Sequence, residues 1–216
     1  MTTKTKPTGV TDAEIIALLD RYKCPTPFHE VRVRLMGTIA SPAIGIAPME
    51  TIKQLWNGEL PAFESMDALN DLFNALTAGL WNRLSEHQNS RTPFKLIRFD
   101  VAPTREELKH FATVRKQELD GFVQGLFGRE QSLNFPERAH DAIGVLAKMR
   151  AFFGGMVDLL EDETKPAPTG ELKKLIHNIQ AMTLIMEKEM NTTILSCKRS
   201  RAHQLEQMST AKPTLH

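Results

Sequence analysis

Leu69, Leu72, Phe73, Leu76, Leu80 and Leu84 follow one another at intervals of one, three and four residues. That spacing puts six apolar side chains on one stripe of an α-helix, whereas a half-buried strand alternates every second residue. Asn70, Asp71, Asn74 and Arg83 lie off the stripe. A helix of this kind is held chiefly by what its apolar face covers, so the chain has to build a helical core around it. The local punctuation agrees. Ser65 is a good N-cap, and Asp67 in the first turn favours the positive end of the helix dipole. Upstream, Trp56-Asn57-Gly58 ends an earlier helix, because Gly enters the left-handed conformation without a Cβ penalty. Pro61 and Phe63 then fix a short extended link.

The rest of the chain divides in the same way. Thr11 with Glu14 forms a capping box ahead of Ile15, Leu18, Leu19 and Tyr22, and Pro25 stops that helix. Thr26-Pro27 restarts one, with Pro27 expected at N1. Val31, Val33 and Leu35 alone read as a strand, but Phe28, Val31, Leu35 and Ile39 fit a helix, and the restart signal decides for helix. Pro48 opens a short helix through Trp56. Residues 87–103 are the least regular, with Phe94, Leu96, Phe99 and Val101 expected to cross the bundle as extended chain. Thr104 with Glu107 opens a further helix through Phe122, which Gly128 ends. Gly121 and Gly125 inside it cost helix propensity but let a neighbouring helix come close. Pro136 begins the next helix, with Leu146, Met149, Phe153, Met156 and Leu160 facing inward.

The expected organisation is a disordered lead over 1–10, a helical domain over 11–162 and a charged, Pro-containing linker over 163–170. An amphipathic helix over 171–208 and a tail over 209–216 complete it. That last helix is expected to run roughly 55 Å, which either wraps the bundle or projects to a partner. The fold class expected is all-α, a multi-helix bundle with a long C-terminal helix.

Trp56, Gly58, Glu59, Pro61, Phe63, Ser65 and Asn82 together form a pattern that resembles the YgfB/YecA-like family of bacterial proteins. Leu35 to Ala40, centred on Gly37, is similar to that family's first glycine-centred helix. Leu119 to Gly125, with Gly121, Phe122 and Gly125, is similar to its second. The resemblance runs over most of Ile15 to Leu160 and implies a helical domain, with no settled biochemical activity attached. Thr38 and Leu119-Asp120 depart from the aromatics the family often has beside its glycines. The Cys-rich metal-binding tail of some members is not matched, since Cys197 is the one cysteine in this tail.

A formal net charge of +1 gives no whole-molecule field towards nucleic acid or an anionic membrane. No apolar run has the length of a membrane span, and no apolar leader is visible, so a cytoplasmic protein without membrane contact is expected. Cys24 and Cys197 are too few for a disulfide framework or a cysteine-based zinc site. Phosphate loops, dinucleotide fingerprints and G-x-S-x-G elbows are absent. Glu107 with His110 and Glu137 with His140 repeat the Glu-x-x-His spacing of di-iron bundles. Helical projection turns both pairs away from their apolar faces, so no metal or cofactor is expected, and a carboxylate/histidine metalloenzyme stands as an alternative.

Met182, Met186 and Met190 suit an adaptable contact surface, and Lys198, Arg199 and Arg201 form the one basic cluster. These six residues are the expected partner-binding set. The expected function is a non-enzymatic protein-interaction or regulatory module that meets another protein or a second copy of itself. A nucleic-acid or ribosome-associated factor is the weaker alternative, resting on the basic cluster.

Overall fold

The structure, a computed structural model, describes residues 9–45, 47–162, 164 and 172–210. Most of the expected lead, the linker except Thr164, and the tail beyond residue 210 lie outside those residues. The elements in order are α1 (Asp12–Arg21), α2 (Phe28–Ala40), α3 (Pro48–Gln54), α4 (Met66–Asn74), α5 (Asn82–Ser85), α6 (Arg105–Phe127), α7 (Glu137–Glu161) and α8 (Leu172–Thr210). A π-helical segment, Ala75–Trp81, joins α4 to α5, and a 3-10 turn follows at Glu86–Gln88. There is no strand among the described residues. The protein is an all-α bundle with a long C-terminal helix.

The local signals act as their chemistry requires. Glu14 Oε2 accepts from the Thr11 amide at 2.7 Å, and Thr11 Oγ1 accepts from the Glu14 amide at 3.3 Å. Ser65 Oγ caps α4 through the Ala68 amide at 3.2 Å. The turn after α3 bends through Asn57 (φ 58°) and Gly58 (φ 97°), both left-handed. Pro27 is the N-cap of α2 rather than its first helical residue.

The π segment is a departure from the sequence reading. Leu72, Leu76, Leu80 and Leu84 are four residues apart, and on an α-helix each such step drifts the side chain by about 40°. A wider π turn takes back part of that drift, and all four leucines stay buried.

The centre of the bundle is the crossing of α2 and α6. A Cβ on Gly37 would collide with the Phe122 carbonyl, and one on Gly125 would collide with the Arg34 carbonyl. Main chain meets main chain there. Gly121 sits beside Glu30 and Val33 in the same crossing. On either side, Leu35, Met36, Phe122 and Leu126 are fully buried.

α8 lies along α7 and α2 instead of projecting from the bundle. It is 39 residues long, about 58 Å at 1.5 Å per residue. Ile179, Met186, Met190 and Ile194 are fully buried, whereas Leu205 and Met208 in its last turns are exposed. None of the described helices is long and apolar enough to cross a membrane.

Candidate functional site

Residues 93–101 form neither helix nor strand, and side chains from the helices pair with several of their main-chain groups. Asn191 Oδ1 accepts from the Phe94 amide at 2.8 Å, and Asn191 Nδ2 donates to the Phe94 carbonyl at 2.9 Å. Glu187 Oε1 accepts from the Leu96 amide at 2.8 Å, while its Oε2 receives Arg98 Nη2 at 2.7 Å. Arg115 Nη2 donates to the Ile97 carbonyl at 2.8 Å. A buried polar backbone costs free energy unless it is paired, and these contacts let Phe94 and Leu96 enter the core while Lys95, Arg98 and Asp100 stay exposed.

Arg115 and Glu118 form an ion pair inside the protein, each side chain 1% exposed. The Arg115 guanidinium lies 5.3 Å from the Phe99 ring centroid and 4.9 Å from that of Phe111. Burial pushes the Glu118 carboxyl up to about 7, although Arg115 beside it and Arg32 pull the other way. Arg115 Nε and Glu118 Oε1 are buried without a partner among the described residues.

A cleft of about 530 Å³ opens beside this pair. Arg98, Phe99 and Asp100 of the 93–101 segment form one wall, and Phe111 and Arg115 of α6 form another. His177, Gln180, Ala181, Thr183 and Leu184 of α8 close it. A second cleft, about 700 Å³, lies over the α2–α6 crossing and includes Arg34, Ile44, Gln54, Gln124 and Phe127. An ion pair between Arg129 and Glu50 joins α3 to the residue after Gly128 at its edge.

The outward side of α8 has its own character. At about 100° per residue, Lys173, Lys174, His177, Ala181, Leu184, Ile185, Lys188 and Arg199 fall within one third of the helix circumference. All are exposed, Leu184 at 59% and Ile185 at 46%. Two apolar side chains therefore share the arc with four cations, of which Lys188 is paired with Glu189 at 3.3 Å.

The expected contact residues separate. Met186 and Met190 are a correction: both are fully buried, because the apolar stripe of α8 is used against the bundle. Met182 is partly buried against the same core. Lys198 Nζ donates to the Gln88 carbonyl at 2.8 Å. Arg201 is held by the bundle itself, donating to the Ile39 carbonyl at 2.7 Å and the Ser41 carbonyl at 2.6 Å at the end of α2. Of the basic cluster, Arg199 faces solvent on the outer side of α8.

Glu107, His110, Glu137 and His140 are all solvent-exposed, and no three His, Cys, Asp or Glu side chains gather to hold an ion among the described residues. Several residues of the family-like motifs have structural duties. Trp56 Nε1 donates to the Tyr22 carbonyl at 2.9 Å, and the Phe63 ring lies 4.8 Å from that of Tyr22. Gly37, Gly121 and Gly125 form the helix crossing, with Phe122 buried beside them. Pro61 is half-buried in the link and Asn82 is exposed.

Sequence reasoning passed over Arg115, Glu118, Glu187 and Asn191. For Arg115 a signal exists: it occupies the position between Phe111 and Leu119 on the apolar stripe of α6. A charge there marks either a helix face turned to solvent or a buried ion pair. No family model, curated protein or solved structure matches this chain.

Proposed function

We propose that this protein is a non-enzymatic interaction module whose docking face is the outer side of α8. The observation that carries the reading is the placement of Leu184 and Ile185 among Lys173, Lys174, Lys188 and Arg199 on one exposed arc. The apolar pair offers area to bury, and the cations select an acidic neighbour and steer its approach. The occupant we infer is an acidic amphipathic segment of another protein. A second copy of this chain is disfavoured on the same face, because two-fold pairing would set lysines against lysines. Nucleic acid would use the cations and leave Leu184 and Ile185 without a role.

Membership of the YgfB/YecA-like family belongs to the same proposal. It is supported by the matching residues serving as the aromatic anchor at Trp56 and the glycine crossing at Gly37 and Gly125. A cytoplasmic setting is proposed from the sequence alone.

Replacing Ile185 with a photo-crosslinking residue in the full chain tests the docking face. The expected product joins position 185 to a segment of another protein that is net acidic and apolar on one side. Lys174→Glu and Lys188→Glu together are expected to lower its yield about tenfold. Crosslinks to nucleic acid or to α8 of a second copy, or a yield unmoved by the charge reversals, would overturn the proposal.

A further inference from the structure

We propose that the cleft between Arg98–Asp100, α6 and α8 binds a small zwitterion, an α-amino acid with an apolar side chain. Three observations converge on that chemistry. Arg115, 1% exposed, backs the wall with its guanidinium against the Phe99 and Phe111 rings. Arg98, two residues before Asp100, uses one Nη2 bond for Glu187 and is half-exposed, leaving further guanidinium N–H groups for a carboxylate. Asp100 is exposed at the edge of the same cleft and makes no hydrogen bond or ion pair among the described residues.

The charges decide the class of ligand. Arg98 is paired with Glu187 and the Asp100 carboxyl lies at the rim, so the lining sets guanidinium donors beside an acidic group. A plain anion would meet Asp100, and a plain cation would meet the two guanidinium groups. A molecule that carries both charges on adjacent atoms satisfies each side. The walls between them, Phe99, Phe111, Ala181 and Leu184, are apolar and suit a hydrophobic side chain. A cleft of about 530 Å³ lies within the size range of small-molecule sites.

Titration of the full chain with L-phenylalanine, 3-phenylpropionate and 2-phenylethylamine, followed by amide chemical shifts, tests this. L-Phenylalanine is expected to perturb residues 98–100 and 181–184 saturably. It should bind at least about fivefold more tightly than either singly charged analogue. Asp100→Asn is expected to reduce its affinity to that of 3-phenylpropionate, and Ala181→Trp, which fills the cleft from an exposed helix position, to abolish binding. No saturation up to about 10 mM, a singly charged analogue binding as tightly, or binding that survives Ala181→Trp would overturn the proposal. His177, Ala181 and Leu184 belong both to this cleft and to the outer arc of α8. Ile185, Lys174 and Lys188, the positions changed in the crosslinking experiment, do not line the cleft, so the two outcomes are distinguishable.

Discussion

Asn191 stands in for a neighbouring strand: its carboxamide accepts from the Phe94 amide at 2.8 Å and donates to the Phe94 carbonyl at 2.9 Å. Phe94 itself is fully buried, so these two bonds are the means by which its main chain leaves water. α8 thus holds the 93–101 segment through side-chain amide geometry instead of a sheet.

Asn191→Leu keeps much of the side-chain volume and removes both bonds. Leaving the Phe94 amide and carbonyl unpaired is expected to lower the unfolding free energy by about 2–4 kcal/mol. Urea denaturation measures the loss, and amide exchange at Phe94 and Leu96 should speed up more than exchange in α2.

The α2–α6 crossing gives a pair of opposite outcomes for one chemical change. Gly125→Ala places a methyl group against the Arg34 carbonyl, and neither helix backbone can yield without separating the crossing. The expected cost is about 3 kcal/mol or more. Gly144→Ala in the middle of α7 meets nothing within 4 Å and should stabilise the protein by about 0.5–1 kcal/mol. Thermal unfolding of the two variants beside the parent decides between them. Equal effects would mean that the helices do not touch at Gly125.

Glu118 fixes a direction of pH dependence. Its carboxyl is raised from 4.5 to about 7 in the folded protein, so between those values the folded state holds a proton that the unfolded state has released. Its contribution to stability is therefore complete at pH below about 4.5 and is lost as pH rises towards about 7. Unfolding free energies of the parent and Glu118→Gln across that range should differ in slope, the parent falling relative to the variant. A parent curve parallel to that of the variant would show a Glu118 that ionises alike in both states.

Helix boundaries were legible wherever one residue type answers one backbone need. Thr11 with Glu14, Ser65, Pro48, Gly58 and Gly128 each supply a cap, a fixed φ or a left-handed turn, and none of these depends on distant neighbours. The candidate sites were mostly not legible. Met186 and Met190 have the right chemistry for an adaptable surface, yet the side of α8 that carries them is the side that meets the bundle. Lys198 and Arg201 look like free cations until Gln88, Ile39 and Ser41 come into reach.

The sequence by itself determined that the chain is helical, where most helices begin and end, and that α2 and α6 have the glycines for close approach. Those properties follow from torsional preference and periodicity within a few residues. Only the tertiary structure decided which face of α8 is covered, that Arg115 and Glu118 are buried together, and that residues 93–101 are held by Asn191 and Glu187. Each of these depends on groups far apart in the chain, such as Phe94 and Asn191, being brought within hydrogen-bond distance. Local preference carries no information about which distant groups will meet, because burial and charge pairing are settled by how the whole bundle closes.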